Sequence, residues 1–208
     1  MRIKDLFSKD ITAKLRSLFH LKHKDEFTTG KKVKGEIFYT IRENGKIVES
    51  SRLEHLGASF YKPHLVNIVT LNASVLLARL MKDSSEPTAG VAYFALGTGN
   101  IGWNILNPPA PTGSESTLET EISRVIPTQA QFIDTGTFLP TLTPTNIVDF
   151  DFDFAEADAV GGLVECGLVG GDATGTPSVN DTLITYRTFP IISKTNTMTI
   201  SFTYRLTF

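Results

Sequence analysis

A single cysteine, Cys166, in 208 residues leaves nothing for an intrachain disulfide to form with. It sits in the apolar run Leu163-Val164-Glu165-Cys166-Gly167-Leu168-Val169, where a small buried hydrophobe is expected. No His with a polar partner lies nearby to make it a catalytic thiol. No stretch approaches the ~18 consecutive apolar residues of a membrane span. The basic N-terminus lacks a continuous apolar core and a small-residue cleavage site, so no secretory signal is expected. Nucleophile-elbow, Walker, H-E-x-x-H and paired acid/base patterns are all missing. The expectation is a soluble, non-enzymatic protein made in a reducing compartment, with no cofactor and no metal.

Cations are also scarce after the first 34 residues. Residues 1–34 hold 10 Lys and Arg against 4 acids, or +6, while the remaining 174 hold 10 against 18, or −8. A basic arm is joined to an acidic body. Such an asymmetry points to an arm that docks on something. Beneath the charge, Ile3, Leu6, Phe7, Ile11, Leu15, Leu18 and Phe19 recur at spacings of three and four, the pattern of an amphipathic helix over residues 3–22. A docking arm is favoured over a surface helix packed on its own domain, over membrane-surface binding and over a nucleic-acid tail, the last because no stacking aromatics interleave with the lysines. His20 and His23 form an H-x-x-H pair with no further ligands at metal-site spacing.

Hydrophobic residues make up 41% of the chain, enough for a sizeable core, and Gly, Pro, Thr and Ser favour short strands and turns. Val33–Ile41 and Ile47-Val48 flank Asn44-Gly45, the signature of a hairpin with a type I′ turn. Residues 71–82 predict one helix packed on the sheet, with Asn72 as N-cap. A strand at 90–96 ends in Gly97-Thr98-Gly99. The dinucleotide reading fails there, because no third glycine arrives in place and prolines follow instead of a helix. Residues 117–124 predict a short turn or helix. Further strands are expected at 128–134, 146–155, 163–169, 182–192 and 197–207, the last two paired as a hairpin.

Asp149, Asp151 and Asp153 alternate with phenylalanines, so they share one strand face opposite a Phe-lined core. Spaced ~7 Å apart along a strand, they are too far apart for one compact metal cage. A calcium loop fails as well, since its sixth position would be Phe154 rather than glycine. A solvated face or an acidic contact strip for a basic neighbour remains. Tyr93, Trp103 and the loop 97–117 are candidates for a receptor or carbohydrate site.

Four segments follow one another in order. They are Ala95-Leu96-Gly97-Thr98-Gly99, Leu118-Glu119-Thr120-Glu121-Ile122-Ser123-Arg124, Val164-Glu165-Cys166-Gly167-Leu168-Val169, and Tyr186-Arg187-Thr188-Phe189-Pro190-Ile191-Ile192-Ser193-Lys194. In this order, over roughly residues 60–208, the chain resembles small virion structural proteins of tailed bacteriophages, of the decoration, collar, fibre or minor tail kind. The Trp103/Pro-rich insertion and the basic arm are departures from that pattern. The resemblance implies a non-enzymatic particle component, made in the host cytoplasm and located in the virion. It would assemble as a homo-oligomer on neck, tail or capsid neighbours. A host-receptor or carbohydrate-binding module and a nucleic-acid-binding packaging factor are the alternatives.

The expected fold is mainly β. It is an antiparallel, jelly-roll-like β-sandwich over 33–208 with one packed helix near 71–82, preceded by a helical extension over 1–32.

Overall fold

The computed structural model describes residues 33–53, 68–70, 72–73, 76–77 and 89–208. The chain divides into two units, Met1–Lys32 and Val33–Phe208, and every described residue belongs to the second. The apolar stripe from Ile3 to Phe19 and all four histidines lie outside the described residues.

Among the described residues, twelve strands form two antiparallel sheets. In chain order they are β1 (Lys34–Glu43), β2 (Lys46–Arg52), β3 (Ile68–Val69), β4 (Ala89–Gly97), β5 (Glu121–Val125), β6 (Gln129–Ile133), β7 (Pro140–Thr141), β8 (Ile147–Phe154), β9 (Gly161–Gly171), β10 (Asp181–Leu183), β11 (Thr185–Lys194) and β12 (Met198–Thr207). The first sheet has the order β2-β1-β12-β8-β6-β7 and the second β3-β11-β9-β4-β5, with β10 paired to β9. The architecture is a mainly-β sandwich.

The core lies between the sheets. Period-two alternation sends Ile37, Tyr39 and Ile41 of β1 inward, with Phe152 and Phe154 of β8 and Ile200, Phe202, Tyr204 and Leu206 of β12. They meet Phe94, Leu96, Cys166, Leu168, Phe189 and Ile192 of the second sheet. Phe94 is the hub, its ring 5.1 Å from Phe152, 5.0 Å from Phe202, 5.9 Å from Tyr204 and 6.2 Å from Phe154. Offset and edge-on contacts of this kind add to the area each ring buries.

The β1–β2 hairpin turns at Asn44 (φ 51°) and Gly45 (φ 75°), the two left-handed positions that a type I′ turn requires. The pairing shifts by one residue at Ile41/Arg42, leaving Val48 as a bulge on the exposed edge strand. That bulge, with Lys46 and Arg52, blunts the edge against further strand addition.

Three expectations change. Residues 117–124 contain no described helix. They form an irregular approach followed by the edge strand β5, held antiparallel to β4. The expected β11–β12 hairpin does not form. The linker 195–197 crosses from one sheet to the other, and β12 pairs instead with β1 and β8. Pairing with β1 satisfies ten successive positions, from Lys34↔Thr207 to Glu43↔Met198. The packed helix is not found as a continuous element among the described residues. Helical backbone occurs at 72–73 and 76–77, where Ala73 and Leu76 are buried in the main core, and the rest of 71–82 lies outside the described residues.

Candidate functional site

A second, smaller core occupies the other face of the second sheet. Ala95, Leu118, Val169, Leu183 and Tyr186 form it, with Tyr93, Trp103 and Ala173 packed against them. A sheet face would ordinarily meet water there. Here the long segment between β4 and β5, residues 98–120, roofs it.

One carboxylate fastens the roof. Alternation along β9 places Glu165 on the same face as Val169, and it is fully buried. Its Oε1 accepts the Gly99 N–H at 3.1 Å and the Thr120 N–H at 2.8 Å. Its Oε2 accepts the Glu119 N–H at 3.0 Å and the Tyr186 hydroxyl at 2.7 Å. Four donors fill the acceptor capacity of an ionised carboxylate, which is what allows the group to be buried. Both ends of the loop are thereby tied to one side chain. Burial pushes the Tyr186 hydroxyl well above its ordinary range, and the bond to Glu165 adds to the shift, so it stays a donor.

Glycine is needed where the loop meets this carboxylate. A Cβ at Gly97 would collide with Glu165 Oε1 and lie 2.6 Å from the Thr120 carbonyl oxygen. Gly99 has φ 67°, and a Cβ there would lie 2.5 Å from the Trp103 ring and 2.7 Å from Val164. Farther along, the Ile191 N–H donates to Ile105 O at 2.9 Å and the Thr188 hydroxyl to Pro109 O at 2.6 Å. Asn100 and Asn104 accept the Gly102 and Leu106 N–H groups at 3.0 and 3.1 Å, closing two local turns. Glu115 accepts from Thr112 N at 2.7 Å and Gly113 N at 2.8 Å. Burial raises the Glu115 carboxyl, but these bonds outweigh it and hold the group below its ordinary range.

Arg124 makes a second fastening. Its guanidinium reaches Glu121 at 2.5 and 2.7 Å, Asp181 at 2.8 Å and the Thr174 carbonyl at 3.0 Å, over the Tyr93 ring at 5.6 Å. Burial alone would lower its pKa. The bonds to Glu121 and Asp181 reverse that and raise it. Beside this clamp, Ser116–Glu121, Pro177, Ser178 and Asp181 rim an open cleft of ≈ 320 Å³ floored by Val169 and Leu183. On the outer side of the roof, Ile101, Ile105 and Leu106 point into solvent.

The expected site residues fare differently. Trp103 is half-buried against Gly99, and Tyr93 lies beneath Arg124, so neither presents an open aromatic platform. In the acidic strip, Asp149 is buried and held by Arg205 through two 2.7 Å bonds. Asp151 accepts the Thr203 hydroxyl at 2.6 Å, and Asp153 alone is exposed. Arg205 is raised chiefly by Asp149. Cys166 is fully buried, and desolvation pushes its thiol far above the ordinary value.

Sequence reasoning missed the role of Glu165. The available signal was a carboxylate inside an apolar run, since such a group must find donors. Lys194, between Ser193 and Thr195, carried no such signal, yet it too is buried. It is 2% exposed, and its ammonium donates to Ala155 O at 2.8 Å and Glu156 O at 3.0 Å. Desolvation lowers its pKa.

Among the described residues there is no group of three or more His, Cys, Asp or Glu able to hold a metal ion. Nor is any helix long and apolar enough to cross a membrane. No protein-family profile and no curated protein matches the chain.

Proposed function

We propose that this chain is a non-enzymatic structural or accessory component of a bacteriophage particle. It is a jelly-roll-like sandwich that docks through its N-terminal arm onto neck, tail or capsid neighbours. One observation carries the reading. The four segments that suggested the resemblance converge on a single piece of internal scaffolding. Gly97 makes room for Glu165, and the N–H groups of Gly99, Glu119 and Thr120 donate to it. Tyr186 completes its shell, and Arg124 locks the following strand. Ionisable groups placed this way hold a loop rigidly in position, and their hydrogen-bonding capacity is taken up by the fold rather than offered to a substrate. A loop held rigidly in this way meets a neighbour at little ordering cost.

The receptor or carbohydrate reading loses support from the half-buried Trp103 and the covered Tyr93. The nucleic-acid reading rests on the arm alone. The test is mass spectrometry of phage particles banded on a density gradient from the culture that makes this chain. Recovery at constant stoichiometry to a major capsid or tail protein is expected. Recovery only in the soluble fraction overturns the proposal.

A further inference from the structure

Residues 89–208 hold four cations against twelve acids, a balance of −8. All four cations face inward or are ion-paired. The Arg187 residue is 0% exposed, Lys194 2%, the Arg124 side chain 3% and the Arg205 side chain 19%. The surface that this region offers to solvent therefore carries acids with little competing positive charge; Arg124, in the wall of the cleft, is paired with Glu121 and Asp181. Away from the roof the exposed acids are Asp153 and Glu156, in a stretch that also exposes Val160. The roof carries exposed Glu119 together with a larger set of exposed apolar side chains. Ile101 and Leu106 are 106% and 69% exposed, Ile105 is exposed beside them, and Glu119 is exposed with Asn100 at 3.4 Å. The cleft floored by Val169 and Leu183 opens next to Glu119. The roof is fastened at Glu165, Thr188 and Ile191, so little ordering entropy opposes binding there.

A partner for this surface must be both cationic and apolar on one side. Residues 1–32 have that chemistry, with lysines flanking the stripe from Ile3 to Phe19. We infer that the roof 98–120 with its adjoining cleft is the acceptor for residues 1–32 of a second copy of this chain. Apolar side chains of the arm enter the cleft and cover Ile101 and Leu106. Its lysines face Glu119 and Glu115 and set orientation and encounter rate. Passing an arm from copy to copy gives a head-to-tail contact, which closes into a ring or extends as a string.

The inference rests on the docking role of the arm, and its test is separable from particle association. Full-length protein is prepared unlabelled and fully 15N-labelled, mixed, and treated with a carbodiimide that joins lysine to carboxylate. Mass spectrometry should find heavy–light peptides linking Lys4, Lys9 or Lys14 to Glu119 or Glu115. Their yield should fall at least about fivefold in 0.5 M NaCl, as expected for a charge-guided contact. It should fall as far in Leu106→Ser/Glu119→Gln, which leaves the Glu119 N–H on Glu165 in place. Leu15→Ser/Leu18→Ser on the arm should have the same effect, with circular dichroism of each variant unchanged. Arm links confined within single copies, arm links only to Asp153 or Glu156, or no arm links at all each overturn the inference. A chain that gives one of those results yet still bands with particles leaves the particle role standing.

Discussion

The two sheets treat their outer faces in opposite ways. The second sheet is roofed, and its outer side holds a small core and a fully buried carboxylate with four donors. Among the described residues, the first sheet has no such roof. Its outer face is largely polar: Thr203 bonds Asp151, Thr40 meets Ser50 at 3.0 Å, and Arg205 pairs with the buried Asp149. A further ion pair joins Arg52 to Glu36 at 3.3 Å, with the Arg52 guanidinium also over the Phe38 ring at 4.7 Å. Burying polar groups makes each of them indispensable, because a lost partner leaves a desolvated orphan. Leaving them wet makes each replaceable by water. The roofed face should therefore be brittle and the unroofed face tolerant.

The sharpest way to break that contrast is Glu165→Ala. It orphans three backbone N–H groups and a tyrosine hydroxyl, and a loss of about 3–5 kcal/mol in urea unfolding is expected. Hydrogen exchange should rise first across residues 98–120. Wild-type stability would show the roof to be held by apolar contact alone. Arg124→Met comes next, at about 2–4 kcal/mol, because Glu121 and Asp181 are left facing each other without their cation. Its effect should shrink in Arg124→Met/Asp181→Asn, measured as a double-mutant cycle.

On the unroofed face, Asp149→Asn should cost about 1–2 kcal/mol, since Arg205 keeps part of its access to water. Thr40→Ala should change stability by less than about 0.5 kcal/mol. A loss at Thr40 as large as that at Glu165 would erase the distinction between the faces.

The pH limb offers a finer comparison. The folded Glu115 carboxyl lies below its ordinary value. Its contribution is therefore complete above the unfolded pKa, about 4.3, and is lost as pH falls through the folded value. Denaturation followed from pH 5 to about pH 3 should show a shallower acid limb in Glu115→Gln than in wild type. An identical limb would mean that the roof's 112–115 turn is already loose at neutral pH.

How far the sequence foretold this depends on how local the cause is. The Asn44-Gly45 turn and the alternation of β8 and β12 are legible because a turn conformation and a face depend on a few adjacent residues. Alternation does not name the neighbour, and so β12 was expected beside β11 although it pairs with β1, more than 150 residues earlier. The segment 117–124 reads in the sequence as a short turn or helix before the next strand. In the fold, two of its N–H groups belong to Glu165, 45 and 46 residues downstream. The acidic strip was legible as a face. Its neutralisation by Arg205 was not, because that pair is set by the register of two strands 56 residues apart.

Cys166 gives the molecule a built-in clock. The thiol is the only one in the chain, is fully buried and is held far from ionisation. A thiol reagent can reach it only when the sandwich opens, so the alkylation rate counts openings of the inter-sheet core. Opening of the roof alone leaves the reagent out. Two timescales of the same protein can thus be separated without adding a probe, and a cysteine placed on the roof would report on the faster one.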